Sequence, residues 1–126
     1  MHRSRLSTLL IDVREEEVGA AAGFWSAALG VPAEPVPGEP QFTSLPDAVP
    51  GLVTAIQGVA DAPRYHLDLE TDDVDAETAR LVGLGAVELR EWAGCRVLQV
   101  PGGQLVCVIP VHSDPQEFAA ASRRWE

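Results

Sequence analysis

The sequence contains no lysine, only two cysteines and no long apolar run, and each shortage excludes something. All nine basic residues are arginines, against 19 acidic residues, so the formal net charge is -10. This charge opposes binding to nucleic acid or to an anionic membrane surface, because both are negative. The lack of lysine, with the abundance of alanine, glycine and proline, indicates a GC-rich bacterial genome.

The shortage of cysteine and of apolar runs also bears on the compartment. Cys95 and Cys107 are too few for a disulfide framework in a domain of this size, so we expect free thiols. No stretch approaches the roughly 20 apolar residues that span a bilayer. The basic segment Met1–Arg5 is followed by neither a signal-type apolar segment nor a small-residue cleavage site. These features predict a cytoplasmic protein.

One pattern of strand, acidic turn, helix and glycine occurs twice. Residues 5–13 and a helix that ends at Gly30 form the first copy, and residues 65–70 with a helix that ends at Gly85 form the second. A chain of 126 residues, 46% of them hydrophobic, is long enough for one domain with a core but too short for two conventional domains. The repeat therefore predicts two half-domain modules in a single domain.

The remaining strands are predicted from alternation and from turn residues. Six prolines between residues 31 and 50 restrict that region to short or edge strands, most plausibly around residues 41–45, and a strand follows at 52–59. After the second helix, three strands are predicted at residues 86–91, 94–100 and 104–110.

These elements set the predicted boundaries within a single domain, residues 1–126. Module one covers about residues 5–59, a linker covers about 60–63, module two covers about 64–110 and a tail covers 111–126. For the tail, a short docking helix and a frayed end are both open.

Three motifs in order carry a resemblance to a known family. They are Phe24–Gly30 at the end of the first helix, Tyr65–Leu69 in the first strand of module two, and Pro101–Val108 around the last strand. Together they resemble the vicinal oxygen chelate superfamily, which includes glyoxalase I, bleomycin-resistance proteins and extradiol dioxygenases. The resemblance covers about residues 5–110 and is strongest to the small glyoxalase-like domains of this superfamily.

The resemblance implies an α+β fold in which two βαβββ modules form a curled mixed sheet around a ligand cavity. It also implies that homodimers are common and that metal ligands lie on the first and last strand of each module. Thr8, Gln57, His66 and Cys107 fill those four positions here. Only His66 is a usual ligand of the family's metal-dependent enzymes, because Cys107 fills a carboxylate position and the hydroxyl and amide oxygens of Thr8 and Gln57 bind divalent metals weakly. We therefore expect no metal and no other cofactor, which disfavours the metal-dependent glyoxalase I and dioxygenase reactions.

The candidate catalytic residues are His66 and Asp68, which alternate along one strand and so share a face. Either side chain can act as a general acid or base if a cavity buries it. The alternative for His66 is a half-buried histidine that Asp68 or Asp12 satisfies. The alternative for Asp68 is a solvated carboxylate at the mouth of the cavity.

The candidate ligand-binding residues are polar or aromatic groups expected to face the cavity: Thr8, Asp12, Gln57, Trp92 and Cys107. The repeat matches Asp12 with Glu70. For Asp12, as for Asp68, a general acid or base and a solvated carboxylate are both open. Trp92 is placed in a turn, where it either stacks on a ligand or covers the end of the core. Cys107 is read first as a small buried apolar residue, and second as a nucleophile or ligand.

Two classes of function agree with these residues. The first is an enzyme that acts on a small metabolite, with His66 as acid or base and with Gln57 and Thr8 orienting a carbonyl or hydroxyl oxygen. The second is a binding or sequestration protein of the bleomycin-resistance type, in which an acidic cleft with a tryptophan holds a cationic or aromatic compound. Both classes predict a small-molecule ligand, and neither nucleic acid nor membrane as partner.

Overall fold

The computed structural model describes all 126 residues, Met1–Glu126, as nine strands, three α-helices and one short 3₁₀ turn. The strands are β1 (His2–Arg14), β2 (Glu34–Val36), β3 (Glu39–Ser44), β4 (Val53–Val59), β5 (Arg64–Thr71), β6 (Val87–Trp92), β7 (Cys95–Gln99), β8 (Leu105–Pro110) and β9 (Arg123–Trp125). The helices are α1 (Val18–Leu29), α2 (Val74–Gly83) and α3 (Pro115–Ala121), and the 3₁₀ turn is Glu15–Glu17. Parallel and antiparallel strand pairs occur together with separate helices, which confirms the predicted α+β class. None of the helices has the length and apolarity that crossing a bilayer requires.

The chain divides into two compact units. We call Thr8–His66 the continuous unit, and Met1–Ser7 together with Leu67–Glu126 the split unit. The divisions fall inside β1 and β5, so each of these strands contributes residues to both units. The sequence places its module boundary slightly earlier, in the segment before β5, and this assignment stays a prediction.

In the continuous unit, the end of β1 pairs in parallel with β4, and β4 pairs with β3 and β3 with β2 in antiparallel fashion. One side of this sheet carries Ile11 and Ile56, which are buried together with Leu45. Trp25 of α1 packs against this cluster, so α1 covers that side. The other side carries the polar residues described below.

Helix α1 forms where the sequence predicts it. Its twelve residues contain no charge, and three glutamates precede it in the 3₁₀ turn, where negative charge favours a helix start. The predicted end at Gly30 is confirmed, because Gly30 has φ +70 and its N–H bonds the carbonyl of Ser26. A left-handed residue that ends a helix is favoured as glycine.

We expect Gly19→Ala and Gly23→Ala each to raise the free energy of unfolding by about 0.5–1 kcal/mol. Both glycines lie inside α1, and a Cβ added to either meets no atom within 4 Å. Gly30→Ala is the matched control, since its positive φ should make the same change cost about 1–2 kcal/mol. Urea unfolding of the three variants checks this. Equal effects at all three positions would contradict the helix geometry.

In the split unit, β5 pairs in parallel with β8, and β8–β7 and β7–β6 are antiparallel pairs. The three strands predicted after the second helix are thereby confirmed. One side of this sheet carries Leu98 and Val108, against which Leu81 of α2 packs. Asp73 caps α2 by accepting a hydrogen bond from the N–H of Ala76 at 3.0 Å, a common role of an aspartate just before a helix.

The tail forms a short helix and a ninth strand. Helix α3 buries Phe118, and Asp114 caps it by accepting from the N–H groups of Gln116 and Glu117. Strand β9 pairs antiparallel with the start of β1, and this strand was not predicted. Trp125 donates to Ser4 Oγ at 2.9 Å. Since the tail is paired and capped, it is not a frayed end.

Candidate functional site

The central feature of the continuous unit is a buried pair of His66 and Asp12. His66 Nδ1 lies 2.7 Å from Asp12 Oδ2, and the two side chains are only 9% and 4% exposed. Of the two carboxylates considered from the sequence as partners of His66, Asp12 forms this bond. A hydrogen bond that involves an ionised carboxylate is short and strong, so the pair fixes the orientation of the imidazole ring.

The bond also determines the chemistry of the imidazole. A carboxylate in its ionised form only accepts hydrogen bonds, so the tautomer of His66 that fits this contact has its proton on Nδ1. In the neutral ring Nε2 is then the basic nitrogen, and in the charged ring it is an acid. An acid or base whose other nitrogen is held by a carboxylate is the arrangement that general acid–base catalysis uses.

The second oxygen of Asp12 and the amide of Gln57 complete the polar groups at this place. Asp12 Oδ1 is buried and has no hydrogen-bond partner. Such an oxygen is costly unless a water or a ligand donates to it. Gln57 of β4 stands directly opposite Asp12 in the parallel register, on the side of the sheet that α1 does not cover. Carboxylate, amide and imidazole groups are therefore gathered at one place.

Thr8 lies farther along the same side of β1. It is 5% exposed and stands opposite Val53, four positions before the Asp12–Gln57 pair. At about 3.3 Å per residue, this separation is roughly 13 Å along the strand. Thr8 and Gln57 therefore do not share one ion or one ligand atom, and Thr8 stays a predicted ligand contact of its own.

The other candidates lie in the split unit, on the side of its sheet that α2 leaves uncovered. Asp68 of β5 stands opposite Cys107 of β8, and Cys107 stands opposite Val97 of β7. Trp92 pairs with Cys95 at the start of β7 and is 61% exposed. Alternation puts Asp68, Trp92, Cys95 and Cys107 on one side of the sheet.

The two cysteines are free, and the sequence singled out only Cys107. Burial raises the pKa of the Cys95 thiol, and electrostatic repulsion from the nearby Cys107 and Asp68 raises this pKa further. A raised pKa leaves less thiolate at neutral pH, and the thiolate is the nucleophile. The environment of Cys95 therefore disfavours a nucleophilic role for this thiol.

The family's metal pattern does not fit the continuous unit. Three of the four family positions lie in this unit, and only His66 is a usual ligand. The other two hold the hydroxyl of Thr8 and the amide of Gln57, which lie four register positions apart. In the split unit, Asp68 and Cys107 offer one oxygen and one sulfur within 4.8 Å of each other. A carboxylate oxygen and a thiolate sulfur are both atoms that a metal ion can use as ligands. We derive no chemical step through a metal.

The hydrogen-bond network of a buried glutamate is a polar feature that the sequence does not predict. Glu70 is fully buried in the split unit, and Arg5 donates from Nε to Glu70 Oε1 at 2.9 Å. Ser113 donates its hydroxyl and its N–H, and His112 donates its N–H. Burial raises the pKa of Glu70, but these hydrogen bonds and the His112 charge outweigh it and hold the pKa below 4.5.

A second buried carboxylate, Glu77, lies in α2. Arg80 donates to both of its oxygens at 2.8 Å, and His2 Nε2 lies 2.7 Å from Oε1. The Arg80 guanidinium also stands 3.8 Å above the centre of the Trp125 ring. This network fastens β1, α2 and β9 together within the split unit. Nothing in the spacing of the sequence connects these distant residues, so no pattern was available to find them.

Comparison with known proteins places these sites in context. A model of the glyoxalase-like domain family matches residues 8–109, whereas no curated protein matches the sequence. An NAD-dependent benzaldehyde dehydrogenase structure from Legionella pneumophila superposes with TM-score 0.63 at 12% identity, covering 83% of this chain and 98% of that one.

Methylmalonyl-CoA epimerases are also similar in structure. The Mycobacterium tuberculosis protein gives TM-score 0.54 at 17% identity, covering 92% of this chain and 91% of its own. The Streptomyces coelicolor protein in complex with 2-nitronate-propionyl-CoA gives 0.53 at 18%, with 86% and 98% covered. At such identities the likeness shows a shared fold.

Proposed function

The chain belongs to the glyoxalase-like domain family of the vicinal oxygen chelate superfamily, and from this premise we propose that it is an enzyme that transfers a proton on a small metabolite. The observation that carries the proposal is the buried pair of His66 and Asp12, 2.7 Å apart. In this role Nε2 of His66 takes a proton from the metabolite or returns one, while Asp12 holds the ring and stabilises its charged form. Asp68 is a second candidate acid or base.

The amide of Gln57 indicates the class of substrate. An amide N–H donates to an oxygen that gains negative charge, so Gln57, opposite Asp12, would orient a carbonyl or hydroxyl oxygen of the metabolite. The names of two structural neighbours agree with such chemistry, because epimerisation beside a carbonyl is a proton-transfer reaction. We propose a small carbonyl or hydroxyl compound as the substrate, with Thr8, Trp92 and Cys107 as further ligand contacts.

The protonation of His66 tests the site before any substrate is known. We expect long-range ¹H–¹⁵N correlation spectra to show the proton of the neutral ring on Nδ1. In Asp12→Asn the carboxylate is replaced by an amide that also donates, so the ring should lose this preference. Asp61→Asn is the control, because the side chain of Asp61 is 70% exposed and bonds Arg64. A proton on Nε2 in the native protein would contradict the proposal.

A thermal-shift screen of small carbonyl and hydroxyl compounds then searches for the substrate. Compounds that stabilise the native protein should be consumed or converted, and His66→Gln should abolish the conversion. A compound that binds tightly through Trp92 but is never converted would overturn the enzyme proposal, in favour of the sequestration class.

Metal removal gives an independent prediction. Because the proposed step uses only side chains, we expect protein purified without a histidine tag to lack stoichiometric Zn, Ni, Mn or Fe, and EDTA to leave its activity unchanged. Elemental analysis and activity before and after dialysis check this. A full-occupancy metal whose loss removes activity would contradict it and would direct attention to Asp68 and Cys107.

The assembly and the compartment are part of the same proposal. The family resemblance favours a homodimer, and the sequence favours the cytoplasm, with no nucleic acid or membrane as partner. Light scattering on the purified protein measures the mass directly, and a monomer at micromolar concentration would exclude the homodimer.

A further inference from the structure

A small surface pocket of the split unit brings two arginines together, and its lining contains none of the proposed catalytic residues. The pocket has a volume of about 180 Å³ and is lined by Met1, His2, Arg3, Asp72 and Arg124. Pockets that hold whole drug-sized ligands measure about 300–1,000 Å³. This pocket therefore has room for one chemical group of a ligand rather than for a whole metabolite.

The pairing of β1 with β9 places the two arginines side by side. Arg3 stands directly opposite Arg124 in the antiparallel register. Directly opposite residues of an antiparallel pair have their Cβ atoms about 4.5–5.5 Å apart, and like charges at these positions destabilise the pair. The neighbouring positions face the other side, where Trp125 bonds Ser4. The arrangement thus concentrates positive charge on one side, at a cost to stability.

Nearby carboxylates neutralise this charge only in part. The Arg3 guanidinium forms no hydrogen bond or ion pair, since Asp72 accepts from the backbone N–H of Arg3 instead. Arg124 has a loose, exposed contact with Glu126 at 3.6 Å. His2 is already bonded to Glu77. Although the chain has 19 acidic and only nine basic residues, these two adjacent arginines have little opposite charge close to them.

We propose that Arg3 and Arg124 bind the phosphate group of a small phosphorylated metabolite. Guanidinium groups match the geometry of phosphate oxygens and form two parallel, charge-assisted hydrogen bonds with them. A dianion between the two arginines would also remove the repulsion across β1 and β9. The net charge of -10 opposes polyanionic partners, so a free phosphate ester is the source that the charge favours over a lipid headgroup.

Calorimetric titration with inorganic phosphate tests the site in the full-length protein. We expect saturable binding of one phosphate per chain, weakened about tenfold or more in Arg124→Gln and in the Arg3→Gln/Arg124→Gln double variant. Arg124→Gln keeps the test valid if the double variant unfolds, because the Arg124 side chain is 51% exposed. The matched control is Arg90→Gln, which removes an equal charge from β6 and should bind as the native protein does.

Vesicles of phosphatidylcholine with phosphatidic acid form the second arm of the test. No cosedimentation is expected. Vesicle binding without binding of free phosphate would overturn the proposal in favour of a lipid headgroup. It would also be overturned by the absence of any heat of binding at tens of millimolar phosphate, or by equal weakening in Arg90→Gln. These outcomes leave the proposal for His66 untouched, since Asp12 and His66 lie in the other unit.

Discussion

Replacing Glu70 by alanine is expected to lower the free energy of unfolding by about 3–5 kcal/mol. The substitution leaves Arg5, whose side chain is 13% exposed, as a charge without its carboxylate. It also removes the acceptor of the N–H groups of His112 and Ser113, which fasten the segment after β8. Breaking a buried ion pair on one side is costly for this reason, whatever the net contribution of the intact pair. Urea unfolding measures the loss.

The control for this substitution is Glu91→Ala. The side chain of Glu91 is 64% exposed and lies 3.3 Å from Arg96, so its removal should change stability by about 0.5 kcal/mol or less. Glu70→Gln keeps the size of the side chain and should fall between the two. If Glu70→Ala cost no more than Glu91→Ala, the buried network would not be holding the split unit together.

Low pH should destabilise the protein through its two buried carboxylates, Glu70 and Glu77. At Glu77, as at Glu70, burial raises the pKa, but hydrogen bonds, here from Arg80, His2 and Ser4, outweigh it and lower the pKa below 4.5. A carboxyl whose pKa is lowered by folding stabilises the native state fully above its unfolded pKa, and this contribution is lost as the pH falls through the folded pKa. We therefore expect stability to decline below about pH 4.5. In Glu70→Gln, the free energy of unfolding measured at several pH values should decline less steeply with falling pH than in the native protein.

Replacing His66 is expected to have a large effect on catalysis. With a substrate in hand, His66→Gln is expected to lower kcat by about 10²–10⁴-fold, the usual contribution of a general acid or base. Asp12→Asn should act through the ring, lowering kcat while leaving KM nearly unchanged, because Asp12 orients His66 at 2.7 Å. In His66→Gln, the pH–rate profile should lose the limb that the titration of His66 produces in the native enzyme. Steady-state kinetics over a range of pH checks both.

The control for these variants is His112→Gln. His112 is the half-exposed histidine of the Glu70 network, and it is absent from the proposed catalytic pair. Its loss should leave kcat near that of the native protein. If His66→Gln retained full activity while the protein stayed folded, the pair would be structural. The bond to Asp12 would then serve only to satisfy two buried polar groups.

Local sequence signals predicted most of the elements, because these depend on neighbouring residues. Gly30 ends α1 through its own positive φ, and Asp73 caps α2 through a bond that spans three residues. Pro101–Gly103 separates two strands that are both present. In each case the physical cause lies within a few positions of the effect, so alternation and capping patterns were sufficient.

The candidate site was predicted less completely, because it depends on register and on long-range pairing. The resemblance places Thr8 and Gln57 together as the site positions of module one, but the parallel ladder puts Asp12 opposite Gln57. Two paired strands can shift by two residues without changing the face that each side chain occupies. Alternation alone therefore does not determine which residues of neighbouring strands stand opposite each other. Arg5 and Glu70 are 65 positions apart, and β9 depends on pairing with the other end of the chain.

The division of the split unit has a consequence for biosynthesis. Residues 1–7 are synthesised well before the rest of the unit, which begins at Leu67, and β9, the pairing partner of residues 2–4, is synthesised after the other eight strands. Until β9 emerges, the beginning of β1 is an unpaired strand edge, and such edges favour association between chains. Contacts between distant parts of a chain also form slowly. Truncation just before Arg123 should therefore increase aggregation during expression more than it lowers the stability of the protein that does fold.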